Sequence, residues 1–460
     1  MVGLQTPVAL LSAVSEDGTV NNLTRDLVVF TTEKHLSMPA GTWSATLTGT
    51  TDARGRTWAD RLLANDYVES RLGYRGVGQT PRIHMRCLID NTDEDVATIN
   101  NEAQRVVILN GRDLGKGLLT KDLWTPSLID PVLNQDFNWW WNFELSGQAT
   151  TPQQPSAWIA HLAQFYQDTI GNAQALGQAN AMIQLQQTLP MRFVCQIPDQ
   201  SAYAVWNMNW DYPVDCIWNM LTYLQAAPFS EMFMRDEEAG PVFYWRFPPF
   251  YDVHGTFLGG PIGGQELGRL DPAVAAAQTA MVTNRSLTRS DNDLKNYFAI
   301  WPNNAGAGAS SGPFPGLQVP GRNPLVLPDR IRRYGFRGLQ QEVIFVPFVS
   351  GVTNAVATQQ QAVYLETCAR LAEWAAGAFG DMHQMYSGQI TTVGNNVLTI
   401  GEYMDLYIDP KSGRALAGPS SGSGTRMLYV EGIKQVFDAT NPNSIDWTTQ
   451  YFVTRGIDLP

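Results

Sequence analysis

The sequence is poor in charge: Asp, Glu, Lys and Arg together make up 16% of its 460 residues. An average soluble domain carries roughly 25%, so much of the polar surface here must be Asn, Gln, Ser and Thr. Such a surface suits a protein largely covered by other protein. Basic runs are missing too, with 31 Lys plus Arg against 43 Asp plus Glu and a formal net charge of −12. A protein that grips DNA phosphates needs a basic face, and none is supplied. No stretch approaches the roughly 18 apolar residues of a membrane span. The first residues, MVGLQTPVALLSAVSEDG, lack the basic start of a signal peptide. The expectation is a soluble, unprocessed chain.

Cysteine is scarce. Cys87, Cys195, Cys216 and Cys368 lie far apart, with no Cys-x-x-Cys spacing, which excludes a disulfide framework and a zinc or redox pair. All four read as buried small hydrophobes. His35, His84, His161, His254 and His383 show no HExxH or HxH spacing. A Walker lysine loop and a Rossmann fingerprint are also missing, and Ser421-Gly422-Ser423-Gly424 sits in a loop, not at a nucleophile elbow.

Aromatic residues, by contrast, are plentiful, with 14 Trp, 16 Tyr and 19 Phe, far too many for a disordered chain. Forty Gly and 27 Pro without a period point to many turns. The length exceeds the roughly 250–300 residues at which one core stops growing, so several domains are expected. Residues 1–126 read as β, with strands at 27–30, 84–89 and 104–111 and a hairpin over 36–47 turning at Pro39-Ala40-Gly41. Residues 127–264 read as a mixed α/β middle. There an amphipathic helix follows Ser156, carrying Ile159, Leu162 and Ile170 and ending at Pro190. A second helix fits 214–225, and a hairpin over 233–247 turns at 236–240. Residues 265–460 return to β, with a Gly/Ser/Pro insert at 303–315, one helix over 357–379, and strands around Thr399, 428–437 and 448–453.

Several groups merit weighing as sites. Asp291-Asn292-Asp293 opens like a calcium loop, but Asn296 and Pro302 stand where its Gly and terminal Glu belong. A turn is the better reading. Arg332, Arg333 and Arg337 form a small basic cluster, read as a solvated or ion-paired face. The acidic runs 93–95 and 236–238 fall in expected turns, and Trp139-Trp140-Trp141 reads as a buried interface segment before a sugar platform. No catalytic, cofactor-binding or metal residues are expected, and no enzyme.

A set of phrases then gives a direction. Residues 36–47 (LSMPAGTWSATL) and 107–115 (VILNGRDLG), the hairpin from Pro228-Phe229-Ser230-Glu231 to Arg246-Phe247-Pro248-Pro249, and 287–298 (LTRSDNDLKNYF) follow in order. Arg333-Tyr334-Gly335-Phe336-Arg337, Tyr429-Val430-Glu431-Gly432-Ile433 and Val453-Thr454-Arg455-Gly456 complete the series. Together, from about residue 24 to 456, they resemble the baseplate hub proteins of phage tails. The resemblance implies a mainly β fold with α+β insertions: two tail-tube-like β-barrels, 1–126 and 265–460, flanking the mixed domain 127–264. It also implies a homotrimer that joins a six-fold tail tube or distal tube protein to a three-fold central spike, with wedge and tape-measure proteins as further neighbours. DNA would pass the channel without specific binding, with no membrane insertion, in a virion protein made in the host cytoplasm. A carbohydrate- or receptor-binding tail protein using the Trp-rich segment is the alternative, and a hydrolase fused to a hub would need a catalytic module for which little chain remains.

Overall fold

The computed structural model describes residues 6–120 apart from 16–17, 76–80 and 100–101, then 191–197, 218–219, 222, 227–260, 279–302, 319–343 and 354–459 apart from 421, 423 and 442. In chain order the first β region holds β1 (Thr6–Val14), β2 (Val20–Asn22), β3 (Leu27–His35), β4 (Thr42–Thr48), β5 (Tyr67–Arg75), β6 (Arg82–Ile99) and β7 (Glu102–Asp113), closed by α1 (Lys116–Thr120). The middle contributes β8 (Arg192–Cys195), β9 (Glu231–Glu237) and β10 (Gly240–Arg246). The last region holds β11 (Ala280–Arg289), β12 (Tyr297–Pro302), β13 (Leu325–Val326), α2 (Pro328–Tyr334), β14 (Gly338–Val343) and α3 (Asn354–Phe379). It ends with β15 (Tyr386–Val393), β16 (Tyr403–Ile408), β17 (Ala415–Pro419), β18 (Arg426–Asp438) and β19 (Asp446–Asp458).

Period-two alternation makes the long strands. In β4, Trp43, Ala45 and Leu47 are buried while Thr42, Ser44, Thr46 and Thr48 point the other way. In β19, Trp447, Thr449, Tyr451 and Val453 are buried, with Thr448, Gln450, Phe452 and Thr454 half-exposed between them. One face of each strand therefore feeds a core and the other stays polar.

The mainly β expectation holds. Six strands, β16-β17-β11-β15-β19-β18, close on themselves through the β16–β18 pairing. Ile390, Leu406, Ala417, Leu428, Val430, Tyr451 and Val453 fill this barrel, so it is a packed core without a bore. The first region is a seven-stranded sheet, β3-β4-β7-β6-β5-β1-β2, which joins the barrel edge to edge through β18 and β3. Its core of Phe30, Trp43, Leu47, Trp58, Val107 and Leu109 also takes in Phe437 and Trp447 from the barrel strands. The two β regions thus share one thirteen-stranded sheet.

Behind this sheet lies the β9–β10 hairpin, with β8 parallel to β10. Its turn follows Glu237, as the acidic run 236–238 suggested. Helix α3 places Cys368, Leu371, Ala372 and Ala375 against Phe298, Ile300 and Val343 of a small sheet, β13-β12-β14.

Some sequence expectations are corrected. The acidic run 93–95 is no turn: it lies within β6, paired with Val106, Val107 and Ile108 of β7. That β-branched run supplies a strong ladder, and the acidic residues opposite it are drawn along. Thr399 is not in a strand but in the irregular approach to β16, where its hydroxyl accepts a bond from Arg235 at 3.1 Å. The segment 333–337 lies outside the barrel, at the end of α2 and the turn into β14. Trp139 to Trp141, the helix after Ser156 with His161, Cys216, and the insert 303–315 lie outside the described residues, as does the 214–225 helix except Trp218, Asn219 and Thr222, which are helical.

Candidate functional site

Eight consecutive strands, β11-β15-β19-β18-β3-β4-β7-β6, carry their polar side chains on one continuous face. The registers place these side chains in cross-strand rows. One row runs Asn91, Asn110, Ser44, Thr31, Val436, Thr448 and Val393, without a single charge. The next runs Arg112, Thr42, Glu33, Lys434, Gln450, Thr391 and Asn284. On the other side of the uncharged row stand Asp93, Ile108, Thr46, Val29, Asp438 and Asp446.

Charges on this face are either neutralised or negative. Arg112 and Lys116 both reach Asp90, at 2.7 and 2.6 Å. Lys434 lies 3.3 Å from Glu33, which also meets His35 at 3.3 Å. Asp93, Asp438 and Asp446 have no ion pair among the described residues; their oxygens accept from Asn91, Thr440 and the Trp447 amide. A shallow depression of about 500 Å³ lies over Thr31, Thr42, Trp43, Ser44, Asn110 and Arg112. The result is a face mainly of hydroxyls and amides, interrupted by Val29, Ile108, Val393 and Val436, with an acidic border.

The back of the wall is pinned by two buried charge clusters. In the first, Lys34 Nζ lies 2.5 Å from Asp113, and Arg86 lies 3.7 Å from Asp236 of the hairpin. Arg86 donates to the carbonyls of Glu237 at 2.6 Å and Glu238 at 3.1 Å, which ties the hairpin to the first sheet. Burial pushes the Asp236 carboxyl up to about 6, with the Asp113 charge adding to the rise. Burial pulls Lys34 down, but Asp113 and Asp236 more than reverse this and leave it raised. His84 beside them, 2.6 Å from the Thr32 hydroxyl, is held down to about 3 by burial and the Lys34 charge.

In the second cluster, Arg246 Nε donates to Glu231 at 2.6 Å, and the Tyr429 hydroxyl donates to the same carboxylate at 2.8 Å. Arg235 reaches Glu402 at 2.8 Å. The Arg246–Glu231 bond joins β9 to β10 within the hairpin, and the bonds to Tyr429 and Glu402 tie the hairpin to the barrel. The hairpin thereby locks both halves of the wall into one body. Sequence reasoning found the hairpin through its Pro-Phe and Arg-x-x-Pro-Pro phrases but not the partners Lys34, Asp113 and Tyr429, which lie far away in sequence. The wall did have a local signal, the Thr/Ser/Gln alternation of TWSATLT and WTTQYFVT.

The residues weighed as sites are dispersed. Asp291 accepts two bonds from Arg337, one of them at 2.7 Å, so 291–293 is an anchored turn. Arg332 pairs with Asp329 at 3.1 Å and Arg333 lies over the Tyr334 ring. Cys87 and Cys368 are buried, and burial pushes the Cys368 thiol up to about 12. Among the described residues no group of three His, Cys, Asp or Glu could hold a metal, and no helix is long and apolar enough to cross a membrane.

No protein-family model and no curated protein matches the chain. Solved structures similar to it include a tail protein from Neisseria meningitidis MC58 (12% identity, TM-score 0.45, covering 97% of this chain and 96% of that one). Another is the 43 kDa tail protein of prophage MuSo2 from Shewanella oneidensis (10% identity, TM-score 0.43, 98% of both chains). A third is the Francisella PdpA-VgrG complex (7% identity, TM-score 0.42, covering 98% of this chain and 58% of that one).

Proposed function

We propose that this chain is a structural virion protein, the hub of a phage-type tail baseplate. Three copies would surround a channel, meet a six-fold tube or distal tube protein above, and hold a three-fold central spike below. Wedge and tape-measure proteins are its further neighbours.

The observation that carries this reading is the polar face running unbroken across both β regions. A lone enzyme domain gains nothing from eight strands of hydroxyl and amide side chains backed by two fused cores. A channel wall does. Its uncharged row and acidic border fit the passage of DNA, because a basic wall would hold phosphates by counterion release and an acidic one repels them. Two β regions per chain in a trimer present six β units, which suits a six-fold ring above a three-fold one. The reading requires no catalytic step and no cofactor.

Native mass spectrometry of the purified chain, followed by electron microscopy, tests this directly. A species of three 50.9 kDa chains forming a ring with an open centre is expected. A monomer at every accessible concentration, or a compact trimer without a central opening, would overturn the proposal.

A further inference from the structure

Lys34, Asp113 and Asp236 meet without the hydrogen bonds that a buried ion pair normally makes. Strand β3 pairs with β4 as far as Glu33 and Thr42, and Thr42 of β4 pairs with Arg112 of β7. Lys34 and Asp113 are next in line on the two sides of Gly41, whose carbonyl accepts from the Asp113 amide at 2.9 Å. A Cβ on Gly41 would lie 3.1 Å from Asp113 Oδ2, so any side chain there would crowd the carboxylate. The glycine lets the two side chains meet across the start of β4. Lys34 Nζ lies 2.5 Å from Asp113 Oδ2 and 3.9 Å from Asp236 of the hairpin. An ammonium carries three donors, yet Lys34 Nζ, Asp113 Oδ2 and Asp236 Oδ1 are buried with no hydrogen bond of proper geometry.

We propose that Lys34 and Asp113 condense, once the chain has folded, to an amide between their side chains, with Asp236 as the proton carrier. The cross-link goes beyond the hub reading and does not depend on it, since all three groups belong to one chain.

The ammonium of Lys34 first gives a proton to Asp113, which replaces a buried ion pair by two neutral groups and so relieves the cost of burying charge. The two carboxylates keep Lys34 mostly charged, so the amine is a minor state and the bond forms slowly compared with folding. Its lone pair attacks Cγ of Asp113 and a nitrogen–carbon bond forms. Negative charge develops on Oδ1, to which the Gly115 amide already donates at 2.9 Å. The nitrogen then gives a second proton to Asp236. Burial raises that carboxyl to about 6, where it both takes and returns a proton near neutral pH. Asp236 passes the proton to Oδ2, the Cγ–Oδ2 bond breaks, and water leaves. The products are a secondary amide, one water and Asp236 as it began. A cavity of about 90 Å³ lined by Lys34, His84, Asp236 and Thr399 adjoins these atoms, larger than the ~30 Å³ share of one water. The amide would fix β3, the strand paired with the barrel, to the end of β7.

Mass spectrometry of the full chain, held folded until its mass is constant, tests this. The denatured chain should be one water lighter than its sequence. Tryptic digestion should give residues 26–54 joined to 113–116, uncut after Lys34. Lys34→Arg keeps the charge but not the amine and should show its full mass. Asp113→Asn should lose ammonia in place of water. Asp236→Asn retains both reacting groups and should react about a hundredfold more slowly. The unsubstituted chain decides the question whether or not the variants fold. If its mass is that of the sequence, or a water is lost elsewhere and the peptide 26–34 is released, the cross-link is overturned. A bond that forms equally fast in Asp236→Asn overturns the role of Asp236.

Discussion

Arg246 lies with its guanidinium against Glu231 and Tyr429 in a site from which water is excluded. Among the described residues neither charge makes a second ion pair, so removing one leaves the other buried without its counter-charge. Arg246→Met should cost ~3–5 kcal/mol, the range found when one member of a buried pair is deleted. Pairing it with Glu231→Leu should recover much of the loss. Urea midpoints of the three chains measure this, and equal losses in single and double variants would remove the coupling. His84 makes a pH prediction at the same scale. Its folded pKa, about 3, lies below the usual value of 6.5. The unfolded chain therefore binds the proton first as pH falls, and His84 contributes stability above 6.5 that is lost progressively down to about 3. Asp236 works the other way. Its folded pKa of about 6 exceeds the usual 3.8, so its contribution is present below 3.8 and lost as pH rises through 6. In urea titrations at pH 4 to 7, His84→Asn should flatten the acid-side fall, by at most ~1.4 kcal/mol per pH unit. Asp236→Asn should steepen that fall.

At the scale of elements, the first β region should not stand alone. Strand β3 is completed by β18, and Trp447 and Phe437 complete the core beneath it. Gly394 faces the Trp447 ring so closely that any side chain there would collide with it. A fragment of residues 1–126 would expose a long unpaired β3 edge above an unfinished core. It should give broad amide resonances and aggregate, whereas co-expression with 265–460 should restore it. A well-dispersed spectrum from the fragment alone would show that the β18–β3 ladder is dispensable. The same ladder explains what the sequence made legible. Alternation within β4, β7, β18 and β19 is local, so strands and the hairpin at Pro39-Ala40-Gly41 were readable. The β18–β3 pairing joins residues some four hundred positions apart, and nothing in either strand names its partner. The 93–95 run misled for a related reason. Three acidic residues suggest a turn by composition, but the cross-strand run Val106 to Ile108 decides their conformation. Of the candidate surface, the polar alternation was visible, while its continuity across two regions was not.

At the scale of the whole molecule, wall length and ring size are linked. In the proposed trimer, three copies of the eight-stranded wall lining one ring, at ~4.8 Å per strand and a tilt of ~40°, would make a ring roughly 50 Å across its backbone. Side chains on the inner face remove about 5 Å on each side, and the opening that remains is roughly 40 Å, wide enough for a DNA duplex. What a duplex would meet there is set by the rows: an uncharged belt of Asn91, Asn110, Ser44, Thr31 and Thr448, bordered by Asp93, Asp438 and Asp446. The bases beside it, Arg112 and Lys434, are already held by Asp90 and Glu33. A duplex should therefore pass without retention. Fluorescence anisotropy of a labelled duplex with the assembled protein should show no binding at 0.15 M salt, where the Debye length is about 8 Å. Reversing the border with Asp93→Lys, Asp438→Lys and Asp446→Lys should create binding that weakens steeply as salt is raised, the signature of counterion release. If the unsubstituted assembly binds the duplex with that same steep salt dependence, phosphate is being held by bases exposed to the channel. The polar face of these eight strands would then not be the surface that DNA meets.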